Sequence, residues 1–192
     1  MAIFTETALI VSLTEKSIAF FTEVLHSFSI SKIVTLPSCS EARRLLLEQD
    51  FDLVIINSPL HDESGESLSR HIAAKGISQV ILVVNIQYYD EVSEMVEDYG
   101  VITIAKPINK NLFWSGLKIA KATHNKLKII QTENTKLIQK VEDIRIVDRA
   151  KYILISYLNM SEEQAHKYIE QQAMDMRITK KAVAERILKT YE

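Results

Sequence analysis

One cysteine, three prolines and four glycines stand among 192 residues. With Cys39 alone, an internal disulfide is excluded and no thiolate pair exists for a metal, which fits a reducing compartment. So little glycine and proline argues against a disordered chain. No apolar run approaches the roughly 18 residues that a membrane span requires. The opening segment MAIFTETALIVSLTEK lacks a basic flank and a long apolar centre, so no secretory signal is expected there. The expectation is a cytoplasmic protein without membrane contact. No convergent acid–base pair or activated nucleophile is visible, which makes an enzyme the weakest reading. Neither a cofactor nor a metal is expected.

The net charge of −2 hides an asymmetry. Residues 1–117 hold 8 Lys and Arg against 15 Asp and Glu, whereas residues 118–192 hold 15 against 10. A basic half suits an acidic partner such as nucleic acid. It equally suits an amphipathic helical tail with solvated lysines.

The first half alternates two periods. Apolar runs at 7–12, 31–36, 51–57, 79–84 and 101–106 read as strands. Helical spacing fills the intervals at 15–28, 40–49, 66–75 and 91–98. Five strands separated by helices of about ten residues imply an α/β fold with a doubly wound parallel sheet. The nearly continuous apolar strands fit burial on both faces. In such a sheet, functional groups gather where strands end. The third strand, Leu53 to Ile56, ends on Asn57.

The second half reads as helix only, with no Gly or Pro after Gly116. One long helix is expected from about Leu112 to Leu158. Along it Ala120, Leu127, Asn134 and Val141 recur every seven residues, with Thr123, Ile130, Leu137 and Ile144 as the companion row. This is a heptad seam, and Asn134 at an a position fixes register in a two-stranded coil. The predicted dimerisation seam comprises Leu127, Ile130, Asn134, Leu137, Val141 and Ile144. The alternative is a helix that packs this stripe on its own domain. Lys140 opposite Arg145 of a second strand is an unfavourable pair. Two helix starts follow. Ser161 with Gln164 forms a capping box, and Thr179 is a second N-cap. Ala165, Tyr168, Ile169, Gln172 and Ala173 form one face, and Ala182, Val183, Ile187 and Leu188 another. The end of the chain is expected to be three helices around a small core.

The first half resembles the receiver domain of two-component response regulators, through its element order, Gly65 in the loop after the third strand and Lys106-Pro107 after the fifth. The resemblance implies a flavodoxin-like fold. It aligns the family's acidic pair with Ser12 and Leu13, its phospho-acceptor with Asn57, and its Thr or Ser with Val84, and it retains Lys106. Phosphoryl transfer needs a carboxylate nucleophile and Mg²⁺ held by carboxylate oxygens. A degenerate, pseudo-receiver domain is therefore expected. His61, Asp62 and Glu63 are expected to form a solvated loop and not a metal site.

The C-terminal part resembles the ANTAR domain, the RNA-binding module of transcription antiterminators. The residues that carry this are Ala150-Lys151, Ser161-Glu162, Ala165, Ala173-Met174 and Val183-Ala184. Tyr152 and Glu170 depart from the family's habit. The implied organisation is a pseudo-receiver at 1–117, a coiled-coil dimerisation helix at 118–148 and an ANTAR domain at 136–192. The implied function is antitermination by binding hairpins in nascent mRNA leaders, as a homodimer. Arg149, Lys151, Arg177, Lys180 and Lys181 are the expected RNA contacts. Tyr152, Tyr157 and His166 are candidate stacking groups, whereas Tyr168 is expected in the core. Two other readings remain open. In one the pseudo-receiver docks a sensor or inhibitor protein, and in the other the last two helices bind duplex DNA.

Overall fold

A computed structural model describes residues 6–76 and 78–191. The predicted signal-free start lies partly outside the described residues. The chain divides into two compact units, Met1–Lys128 and Ile129–Glu192.

In the first unit, five strands form one parallel sheet: β1 (Thr7–Val11), β2 (Lys32–Leu36), β3 (Leu53–Asn57), β4 (Gln79–Asn85) and β5 (Ile102–Lys106). Their order is β2-β1-β3-β4-β5. The register pairs Val11 with Ile56, Asn57 with Val83, and Asn85 with Lys106. Between the strands run α1 (Glu15–Ser27), α2 (Cys39–Glu48), α3 (Glu66–Ala74) and α4 (Tyr89–Val96). The α4 helix is flanked by short 3-10 turns at Ile86–Tyr88 and Glu97–Tyr99. Sequence spacing marked the helix and not the turns, because a three-residue turn carries no periodicity.

Alternation along the central strands sends their side chains into two cores. Leu9, Val11, Val54, Ile56, Leu82 and Val84 face one. Ala8, Ile10, Ile55, Ile81, Val83 and Ile104 face the other, against Phe21 and Phe113. Both faces are covered, which is why the strands read as continuous apolar runs. At the strand starts, Asp52 accepts from the Thr7 backbone N at 2.8 Å and from Thr7 Oγ1 at 3.1 Å. His124 Nε2 lies 3.1 Å from Asp52 Oδ1.

The long helix α5 runs over Lys110–Leu158. Its start packs into the second core through Phe113, Leu117 and Ala120. Ala120 is 1% exposed, so it belongs to the first unit's core and not to the predicted heptad seam. A small side chain there allows close helix-to-sheet approach.

The second unit holds the rest of α5 with α6 (Glu162–Met176) and α7 (Lys180–Tyr191). Ser161 Oγ accepts from the Gln164 backbone N, and the Gln164 side chain accepts from the Ser161 backbone N, closing the capping box. Thr179 Oγ1 accepts from the Ala182 backbone N at 3.2 Å. A connected core joins Ala150 and Leu154 of α5, Ala165 and Ile169 of α6, and Val183 and Ile187 of α7. Ala184 is fully buried, and Ala182 is only half-buried. Tyr168 is 40% exposed, which corrects its predicted place in the core. The narrow interface accepts Ala165, Ile169 and Ala173, and the bulky ring at Tyr168 falls at its rim.

Candidate functional sites

Two places carry chemistry, one in each unit. The first is the edge of the sheet where β1, β3 and β5 end. Ser12 follows β1 directly and is 1% exposed, and Asn57 closes β3 and is 6% exposed. Asn57 Nδ2 donates to Ser12 Oγ at 2.9 Å. Asn57 Oδ1 is buried without a hydrogen-bond partner among the described residues. Lys106, at the end of β5, donates through Nζ to the Ser58 carbonyl. Burial pushes the Lys106 ammonium below the usual lysine range. A carbonyl is a neutral partner, so its charge is not cancelled there.

The structure thus brings Ser12, Asn57 and Lys106 to one edge. Val84 lies near the end of β4 at the same edge, beside Ala105 and one residue beyond Val83, the partner of Asn57, but its side chain turns inward. Val84 is 1% exposed, packs in the first core and lines an adjoining groove with Ser58, Pro59, Tyr88 and Met95. Leu13 is half-buried and packs against the same core. A receiver fold implies Mg²⁺ at this edge. The donors present are a hydroxyl, an amide and an ammonium, with no carboxylate. That set does not suit a hard dication, which takes charged oxygen ligands. Among the described residues, no group of three His, Cys, Asp or Glu is placed to hold a metal.

The loop after β3 has a structural task that its sequence concealed. Asp62 accepts from the backbone N of Cys39 at 3.1 Å and of Ser40 at 2.8 Å, and from Ser40 Oγ at 2.8 Å. It therefore caps α2 from a distance, where the helix dipole favours an anion. Desolvation is the largest single influence and opposes its ionisation. Together the bonds from Ser40 and Cys39 outweigh it and hold the carboxyl down to about 2. Glu63 forms a forked pair with Arg43 at 2.9 Å. His61 and Asp62 are exposed, and Asp62 and Glu63 are at the same time tied to α2. Cys39, buried beside these carboxylates, is pushed up out of its reactive range by burial first and then by Glu63.

The second place is a groove in the C-terminal unit lined by Lys151, His166, Thr179, Lys180 and Lys181. Every lysine in it is held by a carboxylate. Lys151 pairs with Asp148 at 2.8 Å and with Glu162 at 3.5 Å. Lys181 pairs with Asp143 at 2.9 Å. Lys180 pairs with Glu170, which also lies 3.6 Å from His166 Nε2. The bond from Asp148 raises the Lys151 ammonium and that from Asp143 raises Lys181. Three of the five predicted cations thus share one groove. Arg149 sits exposed on α5. Arg177 ends α6 in the left-handed region, at φ 54° and ψ 41°. Among the aromatic candidates, Tyr152 is 70% exposed, and Tyr157 packs its ring 5.7 Å from that of Tyr191. The carboxylate partners are what sequence reading missed. Only the i,i+3 spacing of Asp148 and Lys151 was available to signal them.

The fold and these sites describe a receiver-type α/β unit followed by a three-helix output module. Residues 135–188 match the family model described as the ANTAR domain. The chain is 29% identical over 140 residues to the transcriptional regulatory protein PdtaR of Mycobacterium tuberculosis, covering 72% of this chain and 68% of that protein. Among solved structures, the signal receiver domain of an HD domain-containing protein from Pseudomonas fluorescens Pf-5 superposes with a TM-score of 0.57. It is 18% identical and covers 67% of this chain and 96% of its own. A two-component response regulator from Clostridium difficile gives a TM-score of 0.53 at 19% identity, over 61% of this chain and 96% of its own. The chain carries an ANTAR domain at residues 135–188 behind a unit of receiver fold.

Proposed function

We propose that the protein is an RNA-binding antiterminator. Its ANTAR unit holds hairpins in nascent mRNA leaders and so prevents the terminator from forming. The observation that carries this reading is the ANTAR match over 135–188, joined to the groove that gathers Lys151, Lys180 and Lys181. Hairpin loops present phosphates and unstacked bases, which call for cations and stacking groups. The three lysines supply the cations, and the exposed rings of Tyr152 and Tyr157 supply the stacking surface. Surface ion pairs contribute only about 0–1 kcal/mol each, so phosphate oxygens exchange readily for their carboxylates.

The working form is a parallel dimer through α5. Every residue from 125 to 142 is exposed in the single chain, including the apolar stripe Leu127, Ile130, Leu137 and Val141. That exposure speaks against the stripe packing on its own domain, and a second copy of the same stripe is the complementary occupant. Ile144 continues the seam at 60% exposure, and Asn134 supplies the register-fixing amide.

Control does not run through aspartyl phosphate. The amide of Asn57 cannot serve as the nucleophile, and the Ser12–Leu13 pair offers no charge to a metal. The receiver-like unit is in this reading a pseudo-receiver. The deciding experiment is binding of the full chain to a two-hairpin leader RNA, in competition with duplex DNA of matched length. Preferential retention of the RNA supports the reading. Equal or stronger retention of the duplex overturns it in favour of DNA binding.

A further inference from the structure

The edge of the sheet that holds Asn57 and Lys106 opens into a groove of about 700 Å³. Ligand sites commonly enclose about 300–1,000 Å³, with apolar walls and a few converging polar groups. The polar lining here is Thr14, Lys16, Ser17, Asn57 and Lys106. The apolar lining includes Leu13, Phe20, Pro59 and Ile108. Among the described residues, two ammonium groups line this groove and no carboxylate does. Lys16 is exposed and has no ion-pair partner among the described residues. Lys106 is half-buried, with the neutral Ser58 carbonyl as its partner. A cation withdrawn from water without a counter-charge is unfavourable, and an anion brought beside it relieves that cost. Below it, Asn57 has one amide hydrogen bond and an unpartnered carbonyl oxygen.

We propose that this groove is a non-covalent site for a small organic anion, a carboxylate or phosphate monoester with an apolar body. The anionic head lies between Lys106 and Lys16. Thr14 Oγ1 donates to Ser17 Oγ at 2.7 Å, and the Ser17 hydroxyl in turn donates to the anionic head. The apolar body rests on Phe20, Leu13 and Ile108. A hydroxyl or amine on the ligand meets the open demand of Asn57. No bond to the protein forms and none breaks. The ligand occupies the edge that a phosphoryl group would otherwise mark.

The inference rests on the reading that Asn57 is not phosphorylated, but it is independent of RNA binding. The test uses the full chain, with phenyl phosphate and benzoate as anionic probes and phenol as the neutral control. Backbone amide shifts of residues 12–20, 57–60 and 106–108 are followed by NMR through each titration. The expected result is saturable shifts confined to these segments with one or both anions, at a Kd of about 1 mM or below, and none with phenol. The two anions distinguish a carboxylate from a phosphate preference. Lys106→Met should weaken binding about tenfold. Because Lys106 is half-buried, Lys16→Ala serves as the variant that cannot disturb the core, and it should weaken binding at least threefold. Absence of saturable shifts, shifts centred elsewhere, equal binding of phenol, or unchanged affinity in Lys16→Ala and Lys106→Met would each overturn the proposal. Intact mass after treatment with acetyl phosphate separates the two readings. A stable gain of one phosphoryl group refutes the phosphorylation-independent reading, whereas unchanged mass without anion binding refutes only this one.

Discussion

Gly65 is held by two independent constraints. Its φ of 96° lies in the region that side chains rarely adopt, and a Cβ there would sit 2.7 Å from Ile56 Cγ2. Gly65→Ala should therefore cost about 1–3 kcal/mol of stability, read as a lower urea midpoint with unchanged slope. Asp62 makes a second prediction at this scale. Its carboxyl titrates at about 2 in the folded chain, against about 3.9 when unfolded. Stability from this group is fully present above about pH 5 and is lost as pH falls towards 2. Asp62→Asn should flatten the fall in stability between pH 5 and 2, measured by urea denaturation at each pH. An equal slope in variant and parent would show that the cap contributes nothing. Asn57→Asp should not gain a phosphoryl group from acetyl phosphate and Mg²⁺, since Ser12 and Leu13 still supply no carboxylate. The identity of these residues was legible in the sequence, and their company was not. Nothing in the spacing of Asp62 and Ser40 announces that they meet, because the contact spans two elements. Asn57 by contrast was legible as an edge residue, since strand ends follow directly from the apolar run before them.

At the scale of elements, periodicity told most of the story. Strand and helix positions follow from runs of period 2 and 3.6, and α5 extends over Lys110–Leu158 because no Pro interrupts it and no Gly follows Gly116. Ala120 and Tyr168 were misplaced for a related reason. A heptad or a face predicts which side a residue takes, but not which neighbour lies on that side, nor how much room it leaves. The ion pairs between elements were equally hidden. Lys180 on α7 meets Glu170 on α6, and Lys181 meets Asp143 on α5. These pairs set up a prediction of unusual sign. If phosphate must displace the carboxylates, Glu170→Gln should raise affinity for a hairpin RNA by about two- to fivefold, as expected for removing one exposed pair. Fluorescence anisotropy at low salt would show it. Unchanged or weaker binding would mean that Glu170 does not compete. The seam of α5 makes the other prediction. Leu137→Asp places a charge in an apolar interface and should shift the chain towards monomer in light scattering. An unchanged mass would place the dimer interface elsewhere.

For the molecule as a whole, the two proposals about α5 and the lysine groove combine into one testable consequence. A dimer joins two RNA sites, so the second hairpin of a two-hairpin leader binds at an effective concentration fixed by the spacer between them. The full chain should bind such a leader at least tenfold more tightly than either hairpin alone. Leu137→Asp should remove most of that advantage while leaving the affinity for a single hairpin nearly intact, because the groove of Lys151, Lys180 and Lys181 lies within one chain. The salt dependence separates direct phosphate binding from avidity. Removing a cation that neutralises one phosphate should reduce the slope of log affinity against log salt by about 0.7 to 0.9. Lys180→Ala with Lys181→Ala should flatten that slope and weaken binding most at low salt. Leu137→Asp, measured on a single hairpin, should leave the slope unchanged. If the double alanine variant keeps both parental affinity and parental slope, the groove is a neutralised surface and the RNA lies on another face of the ANTAR unit. If Leu137→Asp lowers single-hairpin affinity as much as two-hairpin affinity, dimerisation shapes each site itself, and linkage of two independent sites is no longer a sufficient account.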